Sequence, residues 1–586
     1  MASHRALLDP PLGRHAVSVL FLVVLGCGGE PKPSSAPVGG TPVAVTPTPA
    51  TPSATSTPED AEDTGLKGSL PSPRDGAVYL QRGPRQTCRD PSAREAAPYD
   101  QVDIPTDRNA DFQLVGSALV VADFFDDKRP SMLFAGWERA QLFRPVGQRW
   151  VEVTDATLGE LDSAGIIAGS AADYDGDGDL DLILVGERQH RLLRNEGEHF
   201  IDVTAAVGLD QTDWVSVSAS WADLDLDGDL DLMIGNYSDY GVGAGDAKDR
   251  TPHPSELYLQ EPGGFVDVSH WLPNEVHEGF VFMTSFVDLN EDSYPELFTI
   301  HDYGNFAPGS RLLLNDGGEG FTIDEPSGFH PRFNGMGFAI GDLNDNGAPD
   351  LVQSSLNTIS LRYAEPSKSS LSGWAWPYEH AVARELIPNL DEATGLAQVF
   401  GWGTELADVD NDGDLDVAMT FGNYFDTPDM VSQRDGLWLQ EGDRFTQVGP
   451  AWGVDDPGAG RGLVVADVNG DGWLDLVKRQ LGLQPSVVHL ARCGEENWIG
   501  LRAAQPTTLN RFAIGARIDV WAEGQRYRRW LTAGSISQFS DGPPEIHVGL
   551  GGAPRVDRLE IKWPDGVIDV MGNLEVNRWF RLVRTQ

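Results

Sequence analysis

One nine-residue pattern, D-x-[DN]-x-[DN]-G-x-x-D, recurs along this chain and restricts its fold more than any other feature. Three copies are nearly ideal: Asp173, Asp175, Asp177, Asp179 and Asp181; Asp223, Asp225, Asp227, Asp229 and Asp231; and Asp408, Asp410, Asp412, Asp414 and Asp416. Each has Gly at position 6 and runs into an apolar stretch, LILVG, LMIGN or VAMTF. Two more copies use Asn in places: Asp342, Asn344, Asn346 and Asp350, then Asp467, Asn469, Asp471 and Asp475. A sixth keeps Asp288, Asn290, Asp292 and Glu296 but has Ser293 at the turn. A seventh, at Asp123, has Phe125, Lys128 and Ser131 where Asp, Gly and Asp belong, and reads as a metal-free relic.

The first positions, 123, 173, 223, 288, 342, 408 and 467, are 50, 50, 65, 54, 66 and 59 residues apart. Behind the loops lie two alternating apolar runs around a Gly-bearing turn, as in RLLRNEGEHFIDVT and GLWLQEGDRFTQVG, which is a hairpin pattern. Two strands flanking the loop plus the hairpin make four antiparallel strands, and such units repeated radially are propeller blades. The expected fold is all-β: a seven-bladed β-propeller over residues 86–494, followed by a small β-sandwich-like domain over residues 495–586.

Side chains at positions 1, 3, 5 and 9 of a tight loop aim oxygens at one centre, and position 7 offers its carbonyl. Hard oxygen donors without His or Cys suit Ca2+ in a flexible cage better than Mg2+. Three to five carboxylates in nine residues would repel one another strongly without a cation. An EF-hand is excluded because position 12, which must be Glu, is Leu184, Ile234, Thr299, Gln353, Met419 or Lys478, and no helix pattern follows.

These loops resemble the FG-GAP/VCBS repeats of integrin-α-like seven-bladed propellers, over about residues 100–490. The resemblance implies a structural calcium ion in each of the six acidic loops, and none at Asp123. After Cys493 the loops stop. Asn510-Arg511, Ile514-Gly515-Ala516-Arg517, Val548-Gly549-Leu550-Gly551 and Trp563-Pro564-Asp565-Gly566 are similar to the ASPIC/UnbV domain. That domain follows VCBS repeats in secreted bacterial proteins and in animal cartilage acidic proteins, so the two resemblances support each other.

Charge and termini bound the setting. With 43 Lys+Arg against 89 Asp+Glu the net charge is -46, which repels a phosphate backbone and excludes nucleic acid as a partner. Residues 1–26 read as a signal peptide, and Val24-Leu25-Gly26-Cys27 resembles a bacterial lipobox with Cys27 as the lipidated residue. Residues 27–85 read as a Pro/Thr/Ser-rich disordered stalk. The expectation is a secreted monomer, lipid-anchored to the bacterial envelope at the outer membrane, touching the membrane through its N-terminal anchor only. A propeller ring closes by pairing an N-terminal strand with its last blade, which brings Cys88 near Cys493; a disulfide between them, or two free thiols, follows.

No G-x-S-x-G, H-E-x-x-H or G-x-x-x-x-G-K occurs, and the 12 His are scattered. The expected function is therefore calcium-stabilised binding or adhesion, with an unidentified protein or glycan ligand at the propeller face. A carbohydrate-active or other secreted enzyme on a propeller scaffold is the alternative, and a purely structural role the third. Insertions at Tyr237–Glu256 and at Trp374-Ala-Trp376-Pro-Tyr378 mark the face, the tryptophans either stacking on a ligand or packing beneath their own loop.

Overall fold

The structure is a computed structural model and describes residues 78–585 apart from short stretches, the longest being 87–93, 107–116, 240–246, 378–399 and 423–432. The expected signal peptide, Cys27, the stalk up to residue 77, Cys88 and Tyr378 lie outside the described residues.

Among the described residues, seven antiparallel sheets share one plan. In the second, Ile166–Ala172, Asp181–Gly186, Gln189–Asn195 and Phe200–Asp202 lie side by side in chain order. The third, fourth and sixth repeat this from Ser216–Ala222, Phe280–Val287 and Gly401–Ala407, and the first starts at Leu119–Ala122. Among the described residues the fifth has three strands, Gly335–Gly341, Asp350–Ser355 and Ile359–Arg362. First strands of successive sheets lie against one another, and that of the seventh, Pro457–Ala466, lies against that of the first, so the sheets form a ring. The seventh sheet takes an outer strand from the other end of the propeller: Tyr99–Ile104 runs antiparallel to Ser486–Ala491, from Tyr99↔Ala491 to Ile104↔Ser486. This is a β-propeller closed by its N-terminal strand.

The inner strands read IIAGSAA, SVSASWA and GMGFAIG and are buried almost end to end. Gly, Ala and Ser predominate in these three, which lets strands approach one axis closely, whereas FVFMTSFV of the fourth sheet brings large side chains to it. Near the start of the inner strand a register shift recurs, at Ile166/Ala168, Ser216/Ser218, Val281/Met283, Gly335/Phe338, Gly401/Thr404 and Gly460/Leu463. Such bulges raise the local twist, as a radial sheet requires.

The C-terminal domain contains two four-stranded sheets. One comprises Arg517–Ala522, Gln525–Trp530, Arg555–Lys562 and Ile568–Glu575; the other has Asn497–Ala504, Ile546–Gly551 and Arg578–Arg584. Its fourth member corrects the expected domain boundary. Val78–Arg82, assigned above to the stalk, pairs antiparallel with Arg578–Arg584, from Val78↔Arg584 to Arg82↔Phe580. VYLQR is the first β-prone run after the Pro/Ser/Thr tract, and it covers an edge strand whose backbone groups would otherwise lack partners. Cys493, at the junction between propeller and C-terminal domain, is disulfide-bonded.

The two parts interpenetrate. From the C-terminal domain a loop enters the propeller axis: Ala533–Gly534 pairs with Ser220 and Trp221 of the third sheet, and Ser540–Asp541 runs parallel to Leu119 and Val120 of the first. Gly534 has φ 97°, and a Cβ there would stand 2.4 Å from the Ala219 carbonyl oxygen, so only glycine fits. Phe539 is fully buried between Phe282 and Trp402, with ring centroids 5.9 and 6.2 Å away. Ser537 accepts a hydrogen bond from the Thr404 amide at 2.9 Å, and Ser540 donates one to the Leu463 carbonyl at 3.0 Å.

Candidate metal centres

Each acidic loop joins the first and second strands of its sheet. All seven loops, the Asp123 relic included, have left-handed backbone at positions 4 and 6: Gly176 and Gly178, Leu226 and Gly228, Glu291 and Ser293, Asp345 and Gly347, Asn411 and Gly413, Gly470 and Gly472, Asp126 and Lys128. The sequence pattern revealed position 6 through its glycines; position 4, filled by five different residue types, gave no such signal. The position-1 carboxylate accepts the position-6 amide in every case, for example Gly178 N to Asp173 Oδ2 at 3.0 Å and Lys128 N to Asp123 Oδ2 at 2.8 Å.

The last carboxylate ties the loop to its sheet. Asp181 accepts hydrogen bonds from Tyr174 N at 3.0 Å and from Asn195 N of the third strand at 2.8 Å. Asp231 holds Leu224 and Gln260, Asp350 holds Leu343 and Ala364, Asp416 holds Val409 and Gln440, and Asp475 holds Val468 and Ala491 in the same way. Sequence reasoning assigned this residue to an ion alone and missed its second task, because the amide from the third strand comes from 14 to 29 residues downstream.

In the three nearly ideal loops the structure brings positions 1, 3 and 9 together. Carboxylate oxygens of Asp173, Asp175 and Asp181, of Asp223, Asp225 and Asp231, and of Asp408, Asp410 and Asp416 lie within 4.8 Å of one another. Asp177, Asp227 and Asp412 at position 5 are exposed and lie outside these triads, and Asp179 at position 7 is also exposed. Burial, then the neighbouring loop carboxylates, push Asp173 and Asp223 up to about 7, and burial pushes Asp181 and Asp231 up to about 9. Asp223 Oδ1, Asp342 Oδ1 and Asp408 Oδ1 are buried without a hydrogen-bond partner, as are Asp288 Oδ1 and Glu296 Oε1. Buried carboxylate oxygens are costly unless paired. The donor set, all oxygen, buried and anionic, fits a hard divalent cation.

The C-terminal domain covers the face that carries these loops. Asn510 N donates to Gly228 O at 2.8 Å, Arg511 Nη1 to Asp177 O at 2.9 Å, Arg528 Nη1 to Gly347 O at 3.0 Å and Gly551 N to Asn411 O at 2.8 Å. His547 Nε2 lies 3.0 Å from Gly472 O, and Trp579 Nε1 donates to Asp467 Oδ2 at 3.3 Å. Residues 495–586 carry 12 Lys+Arg against 11 Asp+Glu, so this domain is near neutral and the deficit of cations belongs to the rest of the chain.

The two tryptophans are structural. Trp376 is fully buried against Phe298 and Phe329 and donates from Nε1 to Pro349 O at 2.9 Å; Trp374 donates to Leu289 O at 3.0 Å. Of the two readings of these tryptophans, packing beneath their own loop is the one the structure shows: both lie against the apolar cluster between the fourth and fifth sheets. Of the other insertion, Tyr237 is buried and donates to Asp302 Oδ2 at 2.8 Å.

A ring of β-sheets with acidic loops facing a C-terminal β-domain defines a class of propeller. Residues 173–234 and 408–477 match the FG-GAP-like repeat family, and residues 506–586 match the family described as ASPIC and UnbV. This chain thus carries FG-GAP-like repeats and an ASPIC/UnbV domain. It is similar to cartilage acidic protein 1 of Mus musculus and of Homo sapiens, 26% identical in each case over 267 residues. That is 44% of this chain and 38% of each relative, so the chain spans about two fifths of the length of the curated relatives it matches. Among solved structures, an Agrocybe aegerita protein that recognises non-reducing terminal N-acetylglucosamine is 16% identical, with TM-score 0.37, over 58% of this chain and 83% of that one. The extracellular domain of a putative hybrid two-component system from B. thetaiotaomicron is 10% identical, with TM-score 0.36, over 81% of this chain and 59% of that one. Likenesses of this size carry no argument about function.

Proposed function

We propose that this protein is an extracytoplasmic, calcium-stabilised binding module, lipid-anchored through Cys27 and without catalytic activity. The observation that carries the calcium reading is the convergence of the first, third and ninth carboxylates within 4.8 Å in the loops at Asp173, Asp223 and Asp408, with a buried, partnerless oxygen on Asp223 and on Asp408. Calcium would be held by Asp173, Asp175 and Asp181, by Asp223, Asp225 and Asp231, by Asp408, Asp410 and Asp416, by Asp342, Asn344 and Asp350, and by Asp467, Asn469 and Asp475. Bound there, it supplies charge neutralisation and cross-linking of a turn, not a reaction. The chain's own part is to fix the turn through the position-6 amide and to tie it to the third strand through position 9.

The binding surface is assigned to the face opposite the C-terminal domain. Antiparallel strands reverse at each turn, so loops between second and third strands emerge on the other side from the acidic loops. The insertion between Asn236 and Glu256 is of that kind. Loops of this sort vary without disturbing the sheets that carry them. Against an enzyme stand the missing nucleophile motifs and the buried His190, His301 and His547, each pushed down to about 4 by burial and so neutral and structural. The test is a glycan and protein array probed with the purified chain, in calcium and in EGTA. Binding that is lost when Tyr237–Glu256 is replaced by a short turn supports the assignment; a ligand that survives this replacement and is blocked by an antibody to the C-terminal domain contradicts it.

A further inference from the structure

We propose that the fourth acidic loop, Asp288 to Glu296, is a latch closed by a lysine ammonium of the C-terminal domain, and that this lysine holds the loop's calcium affinity well below that of the other five. Lys562 ends the strand Arg555–Lys562 and places Nζ 2.5 Å from Asp288 Oδ2. Both side chains are withdrawn from solvent, at 8% and 11% exposure. Among the described residues, no other first-position carboxylate of the six acidic loops has an ion-pair partner. The same loop departs from the pattern elsewhere: Ser293 replaces the turn glycine and has φ 82°, and Glu296 replaces the last aspartate. At position 4, Glu291 Oε1 accepts a hydrogen bond from Arg517 Nη1 and lies 3.6 Å from Arg528 Nη1. Three cations of one domain therefore converge on one turn of the other. The remaining loop without a turn glycine, at Asp123, shares its cleft with Arg502 of the same domain.

Asp288 Oδ1 and Glu296 Oε1 remain buried and partnerless, so the loop keeps a vestige of its cage. A divalent ion entering it would share Asp288 with a fixed ammonium and be repelled by it, an interaction that is large where water is excluded. In the five other loops the first carboxylate is in no ion pair among the described residues, although Trp579 Nε1 donates to Asp467 and the charges of Arg526, Arg528 and Arg529 act on Asp342. The affinity comparison rests on the calcium reading above; the ion pair does not.

Two measurements on the full chain decide the matter. In calcium titration of metal-free protein, read by calorimetry and native mass spectrometry, the wild type is expected to take up five ions and Lys562→Met six. The same count in both chains, or six ions of similar affinity in the wild type, would overturn the proposal. In EGTA, Lys562→Met is expected to lower the melting temperature in the wild-type background and to have little effect in an Asp288→Asn background; equal losses in the two backgrounds would overturn it as well. If neither chain takes up calcium, the calcium reading falls and the EGTA measurement still decides the latch. Lys562→Gln provides the same two readouts should Lys562→Met not fold.

Discussion

The Asp541 carboxylate of the C-terminal domain accepts a hydrogen bond from the Ser170 hydroxyl of the second sheet at 2.8 Å, deep in the propeller axis. The Ala171 amide donates to the same oxygen at 2.8 Å, and the Gly534 amide to the other at 3.1 Å. A single side chain therefore anchors the axial loop to itself and to the ring. Asp541→Ala leaves these buried donors unsatisfied, each at a cost of about 1–3 kcal/mol. Thermal unfolding should show a clear loss of stability, and Asp541→Asn a smaller one.

The same residue gives a pH dependence. Burial pushes Asp541 up from 3.8 to about 6. Because its folded value exceeds the unfolded one, its contribution is full below about 3.8 and is lost as pH rises through about 6. Denaturant melts between pH 4 and pH 7 should show this decline in the wild type and a shallower one in Asp541→Asn; identical slopes would contradict the assignment.

Phe539 fills the axis between Phe282 and Trp402. Truncation to Ala removes a fully buried ring, a change that costs about 3–5 kcal/mol. Since the loop belongs to one part and the pocket to the other, the expected result is a single lowered transition by calorimetry, not the separate melting of one part.

Trp376→Ala should likewise cost about 3–5 kcal/mol, because the indole is buried and its Nε1 is bonded to Pro349 O. Ligand binding measured below the variant's melting temperature should be unchanged. A loss of binding without a loss of stability would restore the stacking role.

Calcium uptake should release protons. Without an ion Asp173 and Asp223 stand near 7, raised by burial and by the adjacent carboxylates, and a bound cation requires them ionised. Calorimetry at pH 7 in two buffers of different ionisation enthalpy should give different apparent heats, and the affinity should weaken as pH falls below 7. If free calcium is ten times the dissociation constant, each site adds about 1.4 kcal/mol, so EGTA should lower the melting temperature.

Much of this was readable from residues alone. The period of the acidic loops placed the sheets, and the apolar runs after Asp181, Asp231 and Asp416 became second strands in register. The turn glycines marked left-handed backbone at position 6. What escaped was non-local. The amides that Asp181 and Asp231 hold come from the third strand, and the cation on Asp288 lies 274 residues away. Tyr99–Ile104 carries no acidic loop to identify it as part of the seventh sheet, and the pairing of Val78–Arg82 with the far end of the chain has no local signature. Stacking and packing stayed open for Trp374 and Trp376 because the groups that hold them, Leu289, Phe298, Phe329 and Pro349, lie elsewhere in the chain.

Anomalous difference density from a crystal grown in millimolar calcium tests the central claim most directly. The account predicts a peak inside each of the loops that begin at Asp173, Asp223, Asp342, Asp408 and Asp467. Well-ordered loops with no peak at any of the five would contradict it.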